Sequence, residues 1–124
     1  MARLSKPLRL IVALLVAGIV LSSCGAGGAL SDVRTSCRSV HAALVLEKKS
    51  EESGLSEAAQ SELQAEAMSE LLKATPSAAA ATSLDGSWNP LMTTINEAER
   101  VPINFLAPAL SRLCQVANSS TPYP

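Results

Sequence analysis

The chain has 124 residues with a formal net charge of −1, is 48% hydrophobic and only 2% aromatic, and so has room for one domain and no more. Its charge is uneven: residues 1–23 carry Arg3, Lys6 and Arg9 and no acid, which leaves seven basic and eleven acidic side chains, or −4, on the other 101. An acidic body argues against nucleic acid, whose binders present basic patches to phosphate, and against electrostatic adhesion to anionic lipid.

The three basic residues precede an uncharged apolar run from Leu10 to Leu21. Twelve helical residues rise about 18 Å, short of a hydrocarbon core about 30 Å thick, so the run suits a transient export signal better than a spanning helix. It ends at Leu21-Ser22-Ser23-Cys24. An apolar residue three places before a cysteine, with small residues between, resembles the lipobox of bacterial lipoproteins. The resemblance covers residues 1–24 alone.

It implies that residues 1–23 are a signal peptide, with Leu21, Ser22 and Ser23 entering the signal peptidase. Cys24 would then be the acyl acceptor, carrying the lipid (palmitate among its chains) and holding the protein at the extracytoplasmic face of the cell membrane. Gly25, where the family's inner-membrane retention signal has an acid, does not mark retention. Residues 24–29 are expected to be the lipidated cysteine and a flexible Gly/Ala tether, and 30–118 the domain.

With Cys24 assigned to lipid, two of the three cysteines remain. An even pair in an oxidising compartment points to a Cys37–Cys114 disulfide that ties the first helix to the last. Two unrelated buried thiols are the alternative.

From about Leu30 to Glu52 the residues read as a helix, with Ser31 as N-cap and Gly54 as stop. Val33, Cys37, Val40 and Leu44 form its apolar stripe, and Glu47, Lys48, Lys49, Glu51 and Glu52 a solvated end. Ser56 caps a second helix running to about Ala74, where Pro76 ends it. Its stripe is Leu55, Ala59, Leu63, Ala67 and Leu71, widened by Met68 and Leu72. Glu62, Glu66 and Glu70 stack on another face, read as solvent-facing or, alternatively, as a site for a cationic partner.

Residues 77–83 are Ala-rich and suit either two helical turns or a connector, and Asp85-Gly86 marks a turn. Asn89-Pro90 is a start signal, an N-cap followed by proline, for a short helix with Leu91, Ile95 and Ala98 on one face. A last helix is expected to begin between Asn104 and Ala107, with Pro108 in its first turn. Leu106, Leu110, Leu113, Cys114 and Ala117 share its inner face. Residues 119–124 read as a disordered polar tail. Nothing in the mature part alternates with a two-residue period, so the fold class is all-α, a small bundle of about four helices.

Candidate chemistry is sparse. The one histidine, His41, lies beside the first apolar stripe, where a partly buried, hydrogen-bonded packing role is the expectation. Glu97 and Glu99 fall on different helix faces and make no obvious dyad. No zinc, calcium or dinucleotide spacing is present, so neither metal nor cofactor is expected and an enzyme is not. Trp88 is read either as closing one end of the bundle or as an exposed anchor for a partner. The expected role is a membrane-anchored, non-catalytic interaction or accessory protein with an envelope protein as partner. A carrier with an apolar cavity between its helices is the alternative.

Overall fold

The computed structural model describes residues 26–119. The expected signal peptide (residues 1–23), the expected acyl acceptor Cys24 and residues 120–124 of the expected tail lie outside the described residues. The described chain is all-helical: α1 (Ala26–Ser50), α2 (Glu57–Leu72), α3 (Thr75–Leu84), a 3-10 turn (Gly86–Trp88), α4 (Asn89–Glu97) and α5 (Ile103–Ala117). No helix among these residues is long and apolar enough to cross a membrane.

The 25 residues of α1 form a rod about 37 Å long, and α2, α3 and α5 all pack against it. The reason is in its stripe. Val33, Cys37, Val40 and Ala43 are all at most 5% exposed, and Leu44 packs against them. Small residues dominate the interior, with Ala29, Ala67, Ala74, Ala78, Ala81, Ala98 and Ala117 all buried. Such short side chains let helices approach closely, and Leu71, Leu91, Ile95 and Leu110 fill the space between them.

The structure moves several expected boundaries. The tether expected over residues 24–29 is helical from Ala26, because this end of α1 has its own packing. Ala29 is 1% exposed, and a Cβ on Gly28 would stand 3.4 Å from the Leu84 side chain of α3. Ser31 therefore lies inside the helix, where its carbonyl accepts from Thr35 Oγ1, and caps nothing. At the other end, Glu47 is buried and not part of a solvated terminus. It falls seven residues after Val40, on the same stripe.

The turn out of α1 uses Gly54 at φ +88°, a conformation that glycine adopts without a Cβ penalty. Ser56 then caps α2 as expected, its side chain accepting from Ala59 N–H at 3.2 Å. Ala67 and Leu71 are buried and Met68 half-buried, whereas Leu72 is an exposed large apolar side chain and does not widen the inner face.

Pro76 both closes α2 and opens α3, since proline fits a first turn that has no hydrogen bond to lose. The Ala-rich segment is therefore a full helix. Asp85 accepts from the N–H and hydroxyl of Ser87 and starts the 3-10 turn, which delivers the chain directly into α4. Trp88 stands before α4, so Asn89 is its first helical residue and not the cap expected of it. Pro102 precedes α5, which begins at Ile103, earlier than expected. Pro108 is consequently inside the helix, past the first turn.

Candidate functional site

The first helix meets the last through Cys37 and Cys114, which are disulfide-bonded with Cα atoms 5.6 Å apart. Both lie on the faces that the apolar stripes assigned to them. Arg34 adds a second tie, its Nε donating 3.1 Å to the carbonyl of Ala117. That carbonyl is at the C-terminal end of α5, where unpaired carbonyls and the helix dipole favour a cation.

Over the disulfide runs an open groove of about 730 Å³. Its α1 wall carries Arg34, Arg38 and His41, and its α5 wall Ser111, Gln115 and Asn118, with Val40 and Leu44 between. Each wall repeats at helical spacings of three or four, which is why the polar groups rise on either side of an apolar floor. Every ionisable side chain lining the groove is basic. Neither arginine is in an ion pair: the described ion pairs are Lys73–Glu70 and Arg100–Glu97. Arg38 donates only to the hydroxyl of Thr35.

His41 is exposed on this wall. That corrects the expectation of a partly buried, packed imidazole, because the inward positions of α1 here belong to Val40, Ala43 and Leu44. Trp88 is 1% exposed, so it closes the bundle over α3 and α4 and is no surface anchor.

A second, smaller hollow of about 430 Å³ lies towards the far end of α1 and has the opposite charge, with Glu47 and Glu51 facing Met68 and Phe105. Burial holds the Glu47 carboxyl above its ordinary pKa of 4.5, and the neighbouring Glu51 charge pushes it the same way. Phe105 is 72% exposed there.

The remaining candidates do not converge on either hollow. Glu62 and Glu66 are exposed, and Glu70 pairs with Lys73. Glu97 pairs with Arg100, away from Glu99. Among the described residues no group of three His, Cys, Asp or Glu side chains is placed to hold a metal ion. Sequence reasoning missed the groove as a unit. The spacing of Arg34, Arg38 and His41 was a signal, since four and three residues put them on one face. What was missing was the opposite wall, which only the docking of α5 supplies.

Comparison with protein-family models, with curated proteins and with solved structures found no match.

Proposed function

We propose that this chain is an exported lipoprotein whose helical domain serves as a non-catalytic recognition module at the extracytoplasmic face of the cell membrane, held there by lipid on Cys24. The observation that carries this reading is the Cys37–Cys114 bond. It uses two of the three cysteines in a pairing that an oxidising compartment favours. The odd cysteine is then Cys24, the one that ends Leu21-Ser22-Ser23-Cys24. A diacyl-type anchor supplies two chains, enough for stable attachment without help from an acidic protein surface.

Recognition at the surface, in preference to carriage of a ligand inside, is supported by the filling of the interhelical space. Eight alanines are buried in the interior, and both hollows described above open to solvent. The α1–α5 groove is the better recognition site because its walls are polar and its floor is covalently fixed.

Replacement of Cys24 tests the anchor. Cys24→Ala should abolish labelling by a lipid precursor and leave an unprocessed chain, with Cys37 still joined to Cys114 by mass spectrometry. Labelling that persists in this variant would overturn the assignment.

A further inference from the structure

The α1–α5 groove is a local inversion of the domain's charge. The body carries −4, yet the groove holds two arginines and a histidine and no carboxylate. Charge left unpaired in this way marks where an anion can dock without displacing a partner of the protein's own.

The dimensions narrow the occupant. From Arg34 to Leu44 the groove follows α1 for about 15 Å at 1.5 Å per residue. At about 3.3 Å per residue, four or five residues of extended chain would span it.

Spacing agrees with this. Arg34 and Arg38 are separated by a rise of about 6 Å, as are Ser111 and Gln115 on the other wall. Alternate residues of an extended chain are about 6.6 Å apart and point the same way. Two carboxylates placed two residues apart would therefore meet the two guanidinium groups. Backbone carbonyls of the same segment would meet the Gln115 and Asn118 amides, and the intervening atoms would lie over Cys37–Cys114.

We propose that this groove binds an extended acidic segment of a protein partner, with carboxylates at alternate positions paired to Arg34 and Arg38. The proposal rests on the reading of the domain as a recognition module and is independent of the anchor. Guanidinium–carboxylate pairs are forked and charge-assisted, so they fix register as well as add affinity. The net negative charge of the rest of the body disfavours the same segment elsewhere.

The test is titration of the purified full chain with a five-residue blocked peptide bearing Glu at positions two and four, followed by calorimetry and by amide shifts. A peptide with Gln at both positions, inorganic phosphate and phosphatidylglycerol vesicles form the other arms. The Glu peptide should shift residues of the groove and bind about tenfold or more tightly than the Gln peptide. Its affinity should fall several-fold as salt is raised. Arg38→Glu should abolish it while circular dichroism stays unchanged, because Arg38 is exposed and its side chain hydrogen-bonds only to Thr35; Arg38→Lys should retain part of it.

Equal binding of the Glu and Gln peptides would overturn the proposal, as would an unaltered affinity in Arg38→Glu. Arg38-dependent binding of the vesicles or of phosphate without the peptide would overturn it in favour of a headgroup or free anion. Arg38-dependent self-association through the exposed Glu62–Glu66 stripe, again without peptide binding, would overturn it in favour of a second copy. Absence of lipid labelling in the parent chain with peptide binding intact would count against the anchor alone, and labelling without peptide binding against the groove's occupant alone.

Discussion

The hydroxyl of Ser36 donates 3.1 Å to the carbonyl of Ala74, joining the middle of α1 to the junction of α2 and α3 across 38 residues of sequence. Both residues are fully buried, and the same carbonyl accepts from Ala78 N–H at 3.0 Å. The bond therefore fixes the level at which the α2–α3 corner meets the central rod. A buried polar contact of this kind contributes only if both groups find each other.

Ser36→Ala should cost about 1 kcal/mol, because Ala74 keeps its second partner and the small side chain leaves little space behind. Urea unfolding with an unchanged m-value is the measurement. Ser36→Val should cost more, through overpacking against α3. A variant as stable as the parent would show that the contact adds nothing to the corner.

Removing the disulfide should cost roughly 4 kcal/mol, since it closes a loop spanning 77 residue steps in the unfolded chain. Cys37→Ala, Cys114→Ala and the double variant should all lose about the same stability, because each breaks one and the same bond. Thermal melts with and without reductant check this. Reductant should lower the Tm of the parent and leave the variants unmoved.

Glu47 makes stability depend on pH. Burial raises its folded-state pKa above the ordinary 4.5, so between those two values the folded state binds more protons than the unfolded. Stability should therefore fall as pH rises through that window, with the cost absent below 4.5 and fully present above the raised value. Glu47→Gln should flatten this dependence and stabilise the domain at neutral pH. Denaturation midpoints at pH 4.5 and pH 7 for both chains give the comparison; parallel shifts would refute the assignment to Glu47.

Trp88 is the chain's only tryptophan and is 1% exposed. Trp88→Ala should cost about 3–5 kcal/mol, a large fraction of the stability of a domain this size. Its native emission should be blue-shifted and poorly quenched by acrylamide, moving red on unfolding. Phe105→Ser, by contrast, removes a ring that is 72% exposed and should change the Tm little.

Much of the architecture was legible in the residues alone. Helical periodicity placed Val33, Cys37 and Val40 on one face of the first helix and Leu110, Leu113 and Ala117 on one face of the last, and all are buried. Cap chemistry located the start of α2 at Ser56, and glycine the turn after α1. These features depend on neighbours three or four residues apart, which a sequence displays directly.

Where an element packs against something distant, local reading failed. Ala26 to Ala29 looked like tether because glycines weaken a helix, but the burial of Ala29 and the approach of Gly28 to Leu84 of α3 outweigh that propensity. Asn89 looked like a cap because the Asp85–Ser87 turn that replaces it draws on the preceding residues. Glu47 looked solvated because its charge suggested so, although its position on the stripe placed it inside.

By itself, then, the sequence determined that the described chain is helical, which faces turn inward, and that Cys37 and Cys114 both lie on them. Each of these follows from the period of a single helix. Only the tertiary structure decided that Arg34, Arg38 and His41 stand opposite Ser111, Gln115 and Asn118 across a disulfide floor, and that Trp88 is closed off from solvent. Those depend on how α5 and the α3–α4 corner dock, and docking is set by the fit of side chains far apart in the chain.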